Sequence, residues 1–188
     1  PEISPLMMMI WNKLRNGSVT NHVALKDVSK MITKELVLNK LEVFHKTLQK
    51  DFNIPYPRLA VMGLNPHSGD NGLYGREDID VIVPAINEAR AKDILVFGPF
   101  SADGFFGSAS WLKFDGVLCM YHDQAMVPFK TLAVDGGVNF TAGLPVIRTA
   151  PDHGTGYDIA NRNVADPNSF RHAIYLAIDI LKNRTLEL

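Results

Sequence analysis

LAVMGLNPHSGDNGLYGREDIDVIVPAINEARAKDILVFGP, residues 59–99, is the stretch that decides the fold. Leu59-Ala60-Val61-Met62 is a short apolar run of the kind a buried strand shows. A Gly-rich loop follows from Gly63 to Gly75. Ile79, Ile82, Val83, Ile86 and Ala89 then recur at helical spacing, with Pro84 accommodated by some distortion. Ile94-Leu95-Val96-Phe97 reads as the next strand, closed by Gly98-Pro99. Strand, loop, amphipathic helix and strand form the unit of a layered α/β fold with a largely parallel sheet.

The flanks repeat the alternation. Upstream, Leu6 to Trp11 is a second apolar run, Asn16-Gly17 is a turn signal, and Ser18 to Ala24 reads as a strand ending near His22. Thr33 is an N-cap for a helix whose face is Leu36, Leu41, Phe44 and Leu48, and Pro55 and Pro57 end that unit. Downstream, Gly116 to Tyr121 is a strand, and Val138-Asn139-Phe140 and Val146-Ile147 are two more. Asp166-Pro167 opens a final helix with its buried face at Phe170, Ile174, Ala177, Ile178 and Leu181. No repeat, low-complexity segment or linker interrupts the chain, so residues 1–188 are expected to form a single α/β unit.

Composition narrows the function classes. The chain has 188 residues, 46% of them apolar and 21% charged, as in ordinary globular domains. Its formal net charge of −1 and the absence of a Lys/Arg block exclude a polybasic nucleic-acid binder. No apolar run approaches the ~20 residues of a membrane span. Cys119 is the only cysteine, which excludes a disulfide framework and a Cys-based zinc site. The opening residues do not read as a signal peptide, so a cytoplasmic location is the default. The chain opens on Pro1 without an initiator Met, which suggests that residues upstream are missing.

The chemistry-bearing residues gather after the strands, the edge where open α/β sheets bind ligands. His22 ends the second strand, His67 lies in the Gly-rich loop and His122 ends the strand that starts at Gly116. Neutral imidazoles suit Zn²⁺, Co²⁺, Mn²⁺ or Fe²⁺, and three of them leave positions open for substrate. Each of the three also has an ordinary structural reading as a hydrogen-bonded histidine. His45 and His172 fall within helices and read as surface or core-edge residues. The loop Asp152 to Asp158, which contains His153, Gly154 and Thr155, is either a nucleotide-approaching backbone or a tight turn before a helix. Lys130, Asn139 and Arg148 each lie near the end of an apolar segment. The two cations offer a point charge and a bidentate fork for phosphate or carboxylate, or are simply solvated. Asp103 and Asp123 are open between ligating a metal, bracing a residue that does, and closing an Asx-turn. Cys119 and Met7-Met8-Met9 read as core.

Several of these segments are familiar together. NH at 21–22, GLNPHSGDNG at 63–72, GPFSADGFF at 98–106, MYHDQ at 120–124 and GVNFTAGLPVIRTAPDHGTGYDIA at 137–160 resemble the 4-hydroxythreonine-4-phosphate dehydrogenase family of vitamin B6 biosynthesis. The resemblance runs from about Leu6 to about Asn183. It implies an isocitrate/isopropylmalate-dehydrogenase-like layered α/β/α fold, a homodimer with a shared active site, and NAD⁺ as oxidant. It implies a divalent metal (Zn, Co, Mn or Mg) held by His22, His67 and His122 from both subunits. Lys130, Asn139 and Arg148 would contact a phosphorylated hydroxy amino acid. His153, Gly154, Thr155, Asp158 and Ile159 would lie on the adenosine side of the cofactor. The implied reaction oxidises 4-phosphooxy-L-threonine, and the β-keto acid loses CO₂ to give 3-amino-2-oxopropyl phosphate. A sister dehydrogenase for another phosphorylated hydroxy acid, such as a four-carbon sugar-acid phosphate, and a non-catalytic metal-binding dimerisation module are the alternatives.

Two departures from the family pattern shape the expectations. Gly156 stands where the family usually has Ala. The family's N-terminal part, with a Gly/Pro-rich opening loop and a substrate-contacting His-Thr pair, has no counterpart, so the 188 residues are expected to fold and bind metal without turning over. A dimer is also expected because Phe105-Phe106 and Trp111-Leu112 would otherwise expose apolar surface.

Overall fold

The computed structural model describes residues 4–134, 136–154 and 156–185. Its centre is one seven-stranded sheet ordered β4-β3-β5-β2-β1-β6-β7. The strands are β1 (Leu6–Trp11), β2 (Leu14–Ser18), β3 (Arg58–Met62), β4 (Leu95–Phe100), β5 (Gly116–Cys119), β6 (Val138–Ala142) and β7 (Thr149–Pro151). β4, β3, β5 and β2 run parallel. From β2 onward the pairing alternates in direction through β1, β6 and β7. The sheet is therefore a parallel half joined through the β1–β2 hairpin to an antiparallel half.

Helices cover both faces. On one side lie α1 (Leu25–Met31), α2 (Lys34–Lys50), α3 (Val83–Ala91) and α6 (Asn168–Thr185), packed on Leu6, Met8, Leu59, Val61, Leu118 and Phe140. On the other, α4 (Ala102–Gly107) and α5 (His122–Leu132) cover Met9, Leu14, Ala60, Met62, Val117 and Cys119. This is the layered α/β architecture expected from the alternation of elements, but the sheet is not largely parallel: three of its pairings are parallel and three antiparallel.

Several local expectations hold for the expected reasons. Thr33 caps α2, its hydroxyl accepting from the Leu36 N–H at 3.1 Å. Asp166 does the same ahead of α6, accepting from the Asn168 N–H at 2.9 Å. Before α3 the chain makes a π-type turn, Asp78–Ile82, so that Pro84 falls in the first turn of the α-helix, where its missing N–H costs nothing.

Others are corrected. Asn16-Gly17 is no turn; both residues are buried inside β2, and the reversal is at Asn12-Lys13, with Asn12 at φ 50°. Phe44 of α2 explains why glycine is needed there. A Cβ on Gly17 would come within 3.2 Å of its ring, and one on Gly116, in the adjacent strand, within 2.5 Å. The bare backbone of two strands is the seat of that ring. β4 runs through Gly98-Pro99 to Phe100, whose carbonyl accepts from Gly63 N at 2.8 Å. The last strand is Thr149–Pro151 rather than Val146-Ile147. α5 was not expected at all.

The apolar face expected of α6 is offset by one residue from the face that is buried. Phe170, Ile174, Ile178 and Leu181 are exposed, and Ser169, Ala173 and Ile180 are the residues that meet the sheet. Phe105 is buried, and Phe106 and Trp111 pack against the same core, so of the four aromatic and aliphatic residues expected to need a partner only Leu112 is exposed.

Candidate functional site

Because β3, β5 and β2 are parallel neighbours, their carboxyl ends open on one edge of the sheet. His67, His122 and His22 follow those three strand ends. His22 stands beyond β2 in a segment that keeps its register with the β5 end. Val19 N donates to Cys119 O at 2.9 Å, and Thr20 donates to Met120 O through both its N–H and its hydroxyl. Ser18 Oγ donates to Asn21 Oδ1 and closes the turn. The outcome is that the rings of His22 and His122 lie side by side, tilted by 36° with centroids 6.3 Å apart.

His122 does not end a strand; it is the first residue of α5. Its Nδ1 lies 2.7 Å from Asp123 Oδ1. With the proton on Nδ1, that carboxylate orients the ring and leaves the Nε2 lone pair free, the usual support for a metal-binding imidazole.

His67 sits on a left-handed turn. His67, Ser68, Gly69, Asp70 and Asn71 all have positive φ, a conformation open to glycine, tolerated by Asp and Asn as single residues, and costly as a run of five. Asp78, 1% exposed, holds the approach to this turn: its carboxylate accepts from Leu64 N at 2.9 Å, Asn65 N at 3.2 Å and Asn65 Nδ2 at 3.0 Å. His67 opens onto a hollow of about 310 Å³ shared with Asn65, Ser101, Asp103, Tyr121 and Gln124. Ser101 Oγ donates to Asp103 Oδ1 at 2.6 Å. That bond first, then the Gly104 N–H, hold the Asp103 carboxyl below the usual carboxylate range. Asp103 is thus kept as an anion on the His67 side of the hollow.

Gln124 links the strand ends. Its Oε1 accepts from Met120 N at 2.7 Å, and its Nε2 donates to Gly63 O at 2.7 Å. Neither Gln124 nor Asp78 stood out in the sequence. The one available signal was the position of Gln124, four residues after the last residue but one of an apolar strand, where a side chain can turn back to the strand end.

Within the described residues of one chain, no three His, Cys, Asp or Glu side chains come together as a metal-holding group. His22 and His122 are brought together; His67 is on the same edge but opens onto a separate hollow. Two imidazoles with ring centroids 6.3 Å apart, plus a third on the same sheet edge, are a donor set suited to a borderline divalent ion.

Lys130, Asn139 and Arg148 fall on the α5 side of the antiparallel half. Asn139 opposes Met9 and Thr141 opposes Met7, so these side chains share the face that α5 covers. Arg148 Nη1 donates to Thr141 Oγ1 at 2.8 Å. Lys130, in the last turn of α5, pairs with the largely buried Asp152, 3.0 Å from Oδ1 and 3.1 Å from its carbonyl. Asn139 Oδ1 is buried and has no hydrogen-bond partner. Buried acceptors are rarely left unmatched, so this one is suited to an incoming donor.

The third group lines a cleft of about 960 Å³ with His153, Gly154, Gly156, Ile159, Asp166 and Ser169 on its walls. His153 Nδ1 lies 2.9 Å from Gly154 O. No atom lies within 4 Å of where a Cβ on Gly154 would stand, and Gly156 takes φ +62°. Such an open, glycine-edged wall lets a flat ligand approach the backbone. Thr155 and the side chain of Asp158 lie outside the described residues. Burial pushes the Cys119 thiol far up, in keeping with an inert core residue.

The family model of pyridoxal phosphate biosynthetic protein PdxA matches residues 2–177. A 4-hydroxythreonine-4-phosphate dehydrogenase of Bacteroides thetaiotaomicron is 52% identical over 182 residues, 97% of this chain and 50% of that protein. One from Caulobacter vibrioides is 49% identical over 96% of the chain and 54% of its own length. The crystal structure of 4-hydroxythreonine-4-phosphate dehydrogenase from Klebsiella pneumoniae superposes with a TM-score of 0.83 at 39% identity, over 94% of this chain and 53% of that one. The chain spans about half the length of the curated relatives it matches. A family match over most of the sequence, relatives at this identity and a solved structure with the same fold settle the family: the chain belongs to the pyridoxal phosphate biosynthetic protein PdxA family.

Proposed function

We propose that the chain supplies the metal- and anion-binding part of a 4-hydroxythreonine-4-phosphate dehydrogenase. The reaction is oxidation of the secondary hydroxyl of 4-phosphooxy-L-threonine by NAD⁺, then loss of CO₂ to give 3-amino-2-oxopropyl phosphate. The observation that carries this reading is the His22–His122 pair at a parallel strand edge in a chain of this family.

His22 and His122 would hold a divalent ion, with His67 completing the set from a second copy, since within one chain it opens elsewhere. When bound, such an ion favours ionisation of the substrate hydroxyl and withdraws charge as the carboxylate leaves. Asp123 holds His122 in the tautomer that keeps Nε2 available. Lys130 and Arg148 neutralise phosphate and carboxylate; Lys130 exchanges its Asp152 contact for the ligand, and Arg148 keeps Thr141 as a brace. Asn139 Oδ1 accepts from the substrate ammonium or hydroxyl. These contacts fix which carbon faces the nicotinamide. The cleft beside His153 to Ile159 has the size and the open backbone for the adenosine end of NAD⁺. We place the protein in the cytoplasm; among the described residues no helix is long and apolar enough to cross a membrane.

A homodimer is part of the same reading. It now rests on Phe170, Ile174, Tyr175, Ile178 and Leu181, an exposed apolar stripe on α6, rather than on residues 105–112.

The test is NADH formation from 4-phosphooxy-L-threonine by this chain and by a longer protein that contains it, with a panel of other phosphorylated hydroxy acids alongside. We expect the longer protein to turn over and this chain to bind metal without turnover. Arg148→Lys in the longer protein should lower kcat/KM by about tenfold or more, because the fork is lost while the charge is kept. Preference for a four-carbon sugar-acid phosphate would move the assignment to a sister enzyme, and no turnover of any member would leave the module reading.

A further inference from the structure

We infer that Gln124 is a positioning residue that ties, within each chain, the His67 loop to the strand ends carrying His22 and His122, and so fixes where each copy presents its His67 relative to its own His22–His122 pair when two copies meet; the inference rests on the metal site proposed above. Its amide is the hydrogen-bonded link between two strand ends. Oε1 takes the Met120 N–H at 2.7 Å, and Nε2 gives a proton to the Gly63 carbonyl at 2.7 Å. Met120 is also the residue whose carbonyl receives both Thr20 bonds on the way to His22. Gly63 begins the loop that carries His67. One planar group therefore ties all three histidine-bearing segments into one frame.

The surroundings leave that frame little slack. Gly63 is fixed on its other side by its N–H bond to Phe100 O at 2.8 Å. A Cβ at Gly63 would stand 2.7 Å from Asp78 Oδ1 and 2.8 Å from Ser68 Oγ, so the backbone is pressed against the groups that shape the left-handed turn. Asp78 anchors Leu64 and Asn65. Gln124 is two residues from His122 on the first turn of α5 and touches none of the reacting groups. Its amide can serve both partners only in one orientation, oxygen to Met120 N–H and nitrogen to Gly63 O. A carboxylate of the same shape would keep the first bond, lose the second and face a carbonyl oxygen with a negative charge.

The experiment compares wild type, Gln124→Glu, Gln124→Met and Asn183→Ala. Asn183 bonds to Asp51 O at the far edge of the molecule and serves as a stability control. Two readouts are taken: Co²⁺ affinity with the visible spectrum of the bound ion, and metal-free hydrogen exchange of peptides covering 63–72 and 118–124. We expect both Gln124 variants to lose about tenfold or more in Co²⁺ affinity, to change the bound-ion spectrum, and to exchange faster in both peptides. Asn183→Ala should lower Tm without altering either readout. Gln124→Met keeps volume without charge, so a failure of Gln124→Glu to fold still leaves the comparison in place. Wild-type Co²⁺ affinity in the Gln124 variants, or faster exchange with unchanged affinity, overturns the positioning role. Absence of Co²⁺ uptake by the wild type overturns the metal site itself, and the metal-free exchange data distinguish that result.

Discussion

α2 and α6 have nearly the same length, 17 and 18 residues, and both are amphipathic, yet they use their apolar faces in opposite ways. α2 buries its large side chains: Val37, Leu41, Phe44 and Leu48 are all at 0% exposure. α6 meets the sheet through Ser169, Ala173, Leu176 and Ile180, a stripe at i, i+4, i+7 and i+11. Its bulkier stripe, rotated by one residue, faces out. Small groups suffice because α6 is also held by polar bonds. Ser169 Oγ donates to Gly137 O and accepts from Asp152 N, and Thr149 Oγ1 donates to Ala173 O, all at 2.9 Å. Periodicity reports that a helix has a face to cover; it does not report what covers it. A helix apolar over so wide an arc has two packing duties, and only one is met within this chain.

The comparison can be broken most severely at Phe44. Phe44→Ala empties the seat over Gly17 and Gly116, and should cost about 3–5 kcal/mol, read by denaturant unfolding. The bridge between the two helices comes next. Arg184 of α6 reaches Asp51, which is 3% exposed at the end of α2, through Nε at 2.6 Å and Nη2 at 3.0 Å. Arg184→Ala leaves a buried carboxylate unpaired and should cost about 2–3 kcal/mol. Asp51→Asn together with Arg184→Met should recover part of that loss.

A pH experiment sharpens the contrast on α2. Burial, with Lys46 adding to it, pushes the His45 imidazole below its ordinary value, and its Nδ1 is buried without a partner. The unfolded chain therefore takes up this proton first. Stability should fall as pH drops through about 6.5 towards the lowered folded value, and His45→Gln should flatten that part of the Tm–pH curve. An unchanged slope would show that acid sensitivity lies elsewhere. The smallest effect is expected on α6. Phe170→Ser with Ile178→Ser should alter stability by no more than about 0.5 kcal/mol, while light scattering shifts towards monomer. A loss of several kcal/mol would mean that the stripe belongs to this chain's own core.

What could be read from the sequence divides along the sheet. The parallel half announces itself at β3 and β5, which are buried on both faces and read as continuous apolar runs, as in Leu59 to Met62. Helix starts were legible at Thr33 and at Asp166-Pro167 because capping is local chemistry. α5 was not, since it opens on His122-Asp123 and carries Pro128, both of which read as loop. β2 was displaced because Asn16-Gly17 has turn composition, and the ring that makes glycine necessary comes from residue 44. The three strand-end histidines were legible as candidates. Asp78 was not, because its partners lie 13 or 14 residues away, and Gln124 offered only its place four residues after Met120, its second partner, Gly63, being 61 residues away.

The β1–β2 hairpin joins the two halves of the sheet, and that position has a consequence in time. The segment running on from β2 bonds to the end of β5 exactly where Thr20 meets Met120, 100 residues later. At ~5–20 residues per second, a ribosome needs roughly 5–20 s to make that interval. Through those seconds the hairpin has neither of its flanking strands, and both its edges, the Met-rich one of β1 above all, stay open to pairing with other chains. Slowing translation between residues 20 and 116 should therefore raise aggregation, whereas slowing it after β6 has emerged should not.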